Sequence, residues 1–139
     1  SALFNATLLH PSLGCQLMKK IANILTATLK DRYAERPASP IREEIAHWNM
    51  LWLKPIDTEI LDYVGTHFDK VVTVEDGEIS GGLGSAVLEY FADKGYKASV
   101  TRLGVPNMFV EHGSTKELYH MLKLDKEGLC ESLLQVLEK

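Results

Sequence analysis

Cysteine is scarce in this chain of 139 residues: Cys15 and Cys130 are the only two, and they form no CxxC pair. This pattern favours inert thiols in a reducing, cytoplasmic compartment over a disulfide framework. Long apolar runs are also lacking, because none approaches the ~20 residues that a bilayer helix needs. The amino terminus has no basic segment followed by a long apolar stretch. We therefore expect neither a membrane protein nor a secreted one.

An excess of positive charge is missing as well. The formal net charge is −4, and the lysine and arginine residues are scattered rather than gathered on one element. Nucleic acid is therefore not an expected partner.

The common motifs of hydrolases and metal enzymes, HExxH, GxSxG and CxxC, do not occur. His47, beside Trp48, has no nucleophile or carboxylate partner legible nearby, so a packing or edge histidine is favoured over a catalytic one. A small hydrolase has no nucleophile and base pair to support it.

The composition that is present is that of a soluble globular protein, with 45% hydrophobic and 24% charged residues. This length and balance predict a single domain over residues 1–139. The chain begins with Ser1 rather than Met and continues directly into apolar residues. We therefore expect a piece of a longer, multidomain protein.

The most informative stretch is 71–91, VVTVEDGEISGGLGSAVLEYF. Its first residues, Val71, Val72 and Val74, predict a buried strand. An acidic, turn-prone segment and a glycine-rich loop follow, and from Leu83 the apolar spacing becomes helical. The stretch therefore predicts strand, glycine loop and helix.

Two interpretations of the Gly81–Gly84 loop remain open. Free N–H groups at a helix start can bind an anion such as phosphate. However, GGxG is shorter than a dinucleotide fingerprint, and Glu75 and Asp76 would repel phosphate. We favour glycines that allow close packing of the helix on the strand.

The remaining periodicity alternates strands and helices. Further strands are predicted over 2–9, 45–53 and 97–103, and further helices over 13–33, 57–68, 114–121 and 125–137. The two prolines in 35–40 predict a surface connection, and the irregular passage 104–113 is a candidate functional or packing loop. This order predicts an α/β fold, a three-layer α/β/α sandwich with a mostly parallel, mixed sheet. Val72, Val74, Val87 and Phe91 should lie buried between strand and helix.

Several segments together resemble the C-terminal domain of transketolase-family enzymes. They are LKPID at 53–57, the stretch 71–90, and RLGVPNMF at 102–109 running into EHG at 111–113. The resemblance covers residues 45–139. The first third departs from it, because the usual glycine-containing turn is replaced by NATLLHPS at 5–12, and 35–40 looks like an insertion.

The resemblance implies a parent enzyme that uses thiamine diphosphate and Mg, of the branch that condenses pyruvate with glyceraldehyde 3-phosphate for isoprenoid synthesis. In such enzymes the preceding domains hold the cofactor, and the C-terminal domain packs against them in a homodimer. The family's Gly-Asp-Gly and paired asparagines are absent here, since Asp76-Gly77 follows Glu75. We therefore expect no catalytic, cofactor-binding or metal residue, and an inactive structural and assembly domain.

One site remains, an interdomain or loop site at Glu75, Asp76, Gly81, Gly82 and Gly84. Glu75 either fixes the loop or meets the adjoining domain, or it is only a local cap or part of a solvated pair. The alternative function is a free-standing module that binds a nucleotide or phosphorylated ligand at the Gly81–Gly84 loop.

Overall fold

The structure is a computed structural model that describes residues 5–9, 45–50 and 53–138, without the side chains of 5–9, 45–47, 49 and 138. Several predicted features lie outside these residues: the helix at 13–33, the segment 35–40, Cys15 and the side chain of His47. Within them the chain forms four strands and four helices. They are β1 (Asn5–Leu9), β2 (Ile45–Asn49), α1 (Thr58–His67), β3 (Lys70–Glu78), α2 (Leu83–Lys94), β4 (Ser99–Val105), α3 (Thr115–Met121) and α4 (Lys126–Glu138).

The four strands form one parallel sheet in the order β2-β1-β3-β4. Asn5 is in register with Lys70 of β3, and Lys70 is in register with Ser99 of β4. All amino ends therefore lie at one edge of the sheet and all carboxyl ends at the other. No antiparallel strand occurs among the described residues, where the only antiparallel pairing is an isolated bridge between Leu53 and Ile56.

One face of β3 is covered by α1 and α2. Their buried apolar side chains pack on Val71, which belongs to an interior strand of the sheet. The buried members of this first cluster are Met50, Leu61, Val64, Phe68, Val71, Leu83, Val87 and Phe91.

The other face of β3 is covered by α4 and the turn before it. The buried members of this second cluster are Val72, Val74, Leu124, Leu129 and Leu133. Helices therefore cover the parallel sheet on both faces, and the predicted three-layer α/β/α fold is confirmed.

The prediction that four core residues pack together is right about burial and wrong about placement. Val72, Val74, Val87 and Phe91 are all buried, but Val72 and Val74 lie in the second cluster, across the sheet from Val87 and Phe91. Successive side chains of a strand point to opposite faces, so Val71 is the residue that meets α2.

Strand β3 is also longer than its apolar residues predict. The acidic segment expected to turn continues the strand to Glu78, which pairs with Val105 after an irregularity beyond Val74. The N–H of Ile79 donates to the carbonyl of Val105 at 2.9 Å. Pairing with β4 supplies backbone hydrogen bonds here, and those bonds outweigh the local turn propensity of the sequence.

Most helix ends follow their sequence signals. Asp57 accepts a hydrogen bond from the N–H of Ile60 at 3.1 Å, and Asp125 accepts one from Gly128 at 2.9 Å. Ser114 and Glu117 form the predicted capping box of α3. Helix α2 ends at Gly95, which adopts the left-handed conformation with φ 72°.

Candidate functional site

The predicted site lies at the carboxyl edge of the sheet, between β3 and α2. Glu75 is only 3% exposed there, on the face of β3 that α2 covers. A buried carboxylate needs partners, because an unpaired charge in a protein interior is costly.

Glu75 finds its partners at the start of α2. Its Oε2 accepts a hydrogen bond from the N–H of Leu83 at 2.7 Å, and its Oε1 accepts one from Gly84 at 3.1 Å. The N-cap residue, Gly82, has no side chain to do this. Glu75 therefore caps α2 from eight positions upstream, and its negative charge favours the positive end of the helix dipole.

Two glycines make this close approach possible. A Cβ atom added to Gly82 would collide with Glu75 Oε2. One added to Gly84 would lie 2.6 Å from Arg102 Cγ and 2.7 Å from the buried, unpartnered Thr73 Oγ1. The interpretation that these glycines serve close packing of helix on strand is thus supported by geometry.

Gly81 has a different role in the same loop. Its φ of 78° lies in the left-handed region that favours glycine. Its N–H donates to Ser85 Oγ at 2.9 Å, and that hydroxyl in turn donates to the carbonyl of Ile79 at 3.0 Å. The loop is therefore closed on itself by Ser85.

Arg102 of β4 ties the loop to the neighbouring strand. One guanidinium nitrogen, Nη1, donates to the carbonyl of Ile79 at 2.8 Å and to Ser85 Oγ at 3.1 Å. Gly104 lies two residues further on, where a Cβ atom would be 2.9 Å from Glu75 Cγ. Sequence reasoning did not assign a role to Arg102, Gly104 or Ser85. The contacts of Arg102 and Gly104 arise from pairing of β3 with β4, whereas those of Ser85 with Gly81 and Ile79 depend on the shape of the loop.

Asp76 points away from Glu75 and is exposed. Its Oδ2 accepts a hydrogen bond from the hydroxyl of Tyr119 at 2.6 Å, which joins β3 to α3. This hydrogen bond raises the pKa of Tyr119 above its ordinary value. The two neighbouring acids therefore do different things, one as a buried cap and the other as a surface link between elements.

A shallow surface cleft lies beside this link, between α3 and the start of α4. It is lined by Thr115, Lys116, Tyr119, His120, Asp125 and Glu127. His120 Nδ1 and Asp125 Oδ2 are hydrogen-bonded at 2.6 Å, and this hydrogen bond lowers the pKa of Asp125. None of the five predicted site residues lines the cleft.

The site does not fit a diphosphate group. The first N–H groups of α2, which could have bound phosphate, already bind the Glu75 carboxylate. Asp76 and Glu78 add exposed negative charge beside the loop. Among the described residues, no group of three or more His, Cys, Asp or Glu side chains could hold a metal ion. Nor is any helix of that part of the chain long and apolar enough to cross a membrane.

The family identified by comparison with known proteins covers the part of the chain that contains this site. The family model for the transketolase C-terminal domain matches residues 42–129. The chain is 46% identical over 101 residues to 1-deoxy-D-xylulose-5-phosphate synthase of Bacteroides fragilis, covering 73% of this chain and 16% of that enzyme. It is 49% identical over 92 residues to the enzyme of the same name from Parabacteroides distasonis, covering 66% of this chain and 15% of that enzyme. The chain thus spans less than a fifth of the length of these relatives.

A solved structure shows the same fold. It is described as a split gene transketolase, inactive beta4 tetramer, and it matches with a TM-score of 0.77 at 23% identity, over 99% of this chain and 40% of that one. The resemblance found in the sequence motifs is confirmed by the family model, which covers more than half of the chain. The protein belongs to the family of transketolase C-terminal domains.

Proposed function

We propose that this chain, as one domain over residues 1–139, is the C-terminal structural and assembly domain of a longer 1-deoxy-D-xylulose-5-phosphate synthase. That enzyme condenses pyruvate with glyceraldehyde 3-phosphate at the start of isoprenoid and terpenoid precursor synthesis. The observation that carries the proposal is the 46–49% identity to synthases of this name. The chain itself is not catalytic in this proposal, and the enzyme is cytoplasmic and homodimeric.

The cofactors, thiamine diphosphate and Mg, belong to the preceding domains. Two features of this chain support that assignment: Glu75 occupies the helix start that could have bound a diphosphate, and exposed acids stand beside it. The same contacts speak against a free-standing module that binds phosphorylated ligands at Gly81–Gly84.

The loop site serves this assembly. Glu75 holds the loop in shape from inside the domain, while Gly81 and Asp76 lie exposed at the carboxyl edge of the sheet. In parallel α/β sheets this edge is where a domain presents its contacts to ligands or neighbours. We propose that this edge faces an adjoining domain of the full-length enzyme.

One binding measurement and one activity measurement test the proposed function. Calorimetric titration of the 139-residue chain with thiamine diphosphate and Mg²⁺ should show no binding, whereas the full-length polypeptide that carries the chain should bind both. The full-length polypeptide should also form 1-deoxy-D-xylulose 5-phosphate from pyruvate and glyceraldehyde 3-phosphate. Micromolar binding by the chain alone would overturn the non-catalytic assignment, and a full-length protein without this activity would overturn the reaction.

A thermal-shift screen with phosphorylated ligands tests the alternative function directly. A ligand present at about a hundred times its Kd stabilises the protein that binds it by ~2.7 kcal/mol. We expect no ligand to shift the melting temperature of the chain. A clear shift that Gly82→Ala abolishes would support the binding module instead.

A further inference from the structure

The loop that follows β4 carries two adjacent apolar side chains that are exposed to solvent. Phe109 is fully exposed, at 101% of its reference area, and Met108 is 59% exposed. Single exposed apolar residues are ordinary on protein surfaces, but a neighbouring Phe and Met at one tip form a continuous apolar projection. Phe and Met are both enriched where proteins contact each other.

The tip of the loop, Met108 and Phe109, follows a backbone turn that fixes its position. The N–H of Met108 donates to the carbonyl of Pro106 at 2.7 Å, which closes a three-residue turn directly after β4. Pro106 has a restricted φ, and this limits the freedom of the turn. The projection is therefore built into the end of the strand, and less entropy is lost when it binds than for a freely flexible segment.

The tip stands on the same edge as the loop site. Glu78 is in register with Val105, the last residue of β4, so the tip leaves the sheet beside the end of β3. The chain then enters α3, where the hydroxyl of Tyr119 donates a hydrogen bond to Asp76. Both ends of the loop are thus anchored against the β3 segment that carries Asp76 and Glu78.

Exposed carboxylates lie on the segments that adjoin this projection. Asp76 and Glu78 lie at its base, and Glu111 follows Phe109 by two residues. Lys116, in the first turn of α3, is the nearest lysine along the chain. A complementary surface would therefore be an apolar pocket with a rim of Lys or Arg side chains.

Two described points near the ends of the chain lie away from the tip. Asn5, the start of β1, is in register with Lys70 at the amino edge of the sheet. The carbonyl of Leu137, near the end of α4, accepts a hydrogen bond from Lys70 Nζ at 3.3 Å. Asn5 and Leu137 therefore both lie at the edge opposite to the tip.

We infer that Phe109, with Met108, docks into an apolar, basic-rimmed pocket on another domain of the same full-length polypeptide. The curated relatives are more than five times longer than the matched region, so most of such a polypeptide is available to supply the pocket. This inference rests on the proposed function in taking the chain as one domain of a longer enzyme. It adds the anchor residues and the chemistry of the surface that they enter.

Hydrogen exchange measured by mass spectrometry tests the docking without a mutation. Peptides covering 107–112 should exchange at least tenfold more slowly in the full-length polypeptide than in the 139-residue chain at low concentration. Peptides covering 71–74 of β3 should be protected in both and serve as the control for folding. Equal exchange of 107–112 in the two proteins overturns the inference. Protection that rises with concentration in the chain alone also overturns it, because the occupant would then be a second copy.

A pair of variants extends the test. Phe109→Ser should leave the melting temperature of the chain unchanged, because Phe109 makes no buried contact within it, and should abolish the protection of 107–112 in the full-length polypeptide. Leu88→Ser is the control for the loss of an apolar side chain elsewhere on the domain, since Leu88 belongs to α2 and is 38% exposed. It should leave the protection of 107–112 unchanged, while the loss of its partly buried side chain lowers the melting temperature of the chain. Full protection of 107–112 in Phe109→Ser would overturn the assignment of Phe109 as the anchor.

Activity is read separately, so that the two proposals fail differently. A full-length enzyme that makes the product but exchanges freely at 107–112 refutes the docking and leaves the function standing. A full-length protein that protects 107–112 but makes no product refutes the reaction and leaves the docking standing.

Discussion

A single carboxylate organises the site at the scale of one residue. Glu75 belongs to β3, yet its two oxygens satisfy the first N–H groups of α2, a task usually performed by the residue just before a helix. Because Gly82 occupies that position, the cap depends on tertiary contact between strand and helix.

Replacing Glu75 with glutamine should therefore destabilise the chain itself. The amide oxygen of Gln can accept one N–H, but its NH₂ group would face the other, so one buried donor loses its partner. We expect the free energy of unfolding in urea to fall by about 1–2 kcal/mol, within the range of about 0.5–2 kcal/mol seen for lost helix caps. Glu78→Gln, which changes an exposed acid on the same segment, should stay within ~0.5 kcal/mol of the parent. Equal stability of Glu75→Gln and the parent would contradict the capping role.

A second residue-scale contact links α1, α2 and the turn after α2. Asp62 Oδ1 accepts hydrogen bonds from the hydroxyls of Tyr90 at 2.7 Å and Tyr96 at 2.8 Å. The bond to Asp62 raises the pKa of Tyr90 to about 12, and the same bond to Asp62 raises the pKa of Tyr96. Since an ionised tyrosine cannot donate its hydroxyl proton, the link requires both phenols to be neutral.

This link predicts a loss of stability at alkaline pH. An unfolded tyrosine has a pKa of about 10, so the contribution of Tyr90 is complete below pH ~10 and is lost as pH rises through the folded value of about 12. Tyr90→Phe should melt lower than the parent at neutral pH and lose less stability between these two pH values. Thermal melts across the alkaline range, with tyrosinate absorbance as a monitor, provide the measurement. Parallel losses in parent and variant would contradict the link.

At the scale of elements, the contact between α2 and the sheet depends on small residues. Gly84 of α2 lies against Arg102 and Thr73 with no room for a Cβ atom, whereas Gly77 of β3 has no atom within 4 Å of where its Cβ would stand. Comparing alanine substitutions at these two glycines therefore distinguishes the free-energy cost of crowding from the general effect of replacing glycine.

Gly84→Ala should destabilise the chain by about 1–3 kcal/mol, the usual cost of forcing an extra group into a packed site. Gly77→Ala should be close to neutral, because its Cβ meets open space. Chemical denaturation of both variants tests the difference. A Gly84→Ala protein as stable as Gly77→Ala would show that α2 can move away from β3 at little cost.

At the scale of the whole molecule, β3 connects the two halves of the core. Val71 belongs to the cluster under α1 and α2, and Val72 belongs to the cluster under α4. A central strand with a packed layer on each face predicts that both layers unfold together.

Truncating either layer should therefore lower the same transition. Phe91→Ala in the first cluster should cost ~3–5 kcal/mol, and Leu133→Ala in the second should cost ~2–5 kcal/mol. In a Trp52→Phe background the remaining tryptophan is Trp48, which packs against the first cluster. Its fluorescence then reports that face, while circular dichroism reports all helices. In Leu133→Ala the two signals should shift together. A fluorescence transition that stays at the parent position would mean that the layers unfold independently.

Much of the architecture was determined by the sequence alone, because its signals are local. The strand–loop–helix order of 71–91, the stop at Gly95, the Ser114–Glu117 capping box and the Asp125 cap depend on residues within a few positions of each other. The family could also be identified from motifs at 53–57, 71–90 and 102–113. The caps and the helix stop form as predicted because neighbours along the chain supply their hydrogen-bond partners.

Tertiary structure decided what depends on partners far along the chain. Pairing with β4 extended β3 through Glu78 and brought Arg102 and Gly104 to the loop. The pleat of β3 placed Val72 and Val74 on the face opposite to α2, which an apolar run cannot reveal because both of its faces are buried. Glu75 became a cap rather than a solvated acid only because α2 packs over it, since the energy of a carboxylate depends on the donors and the solvent around it.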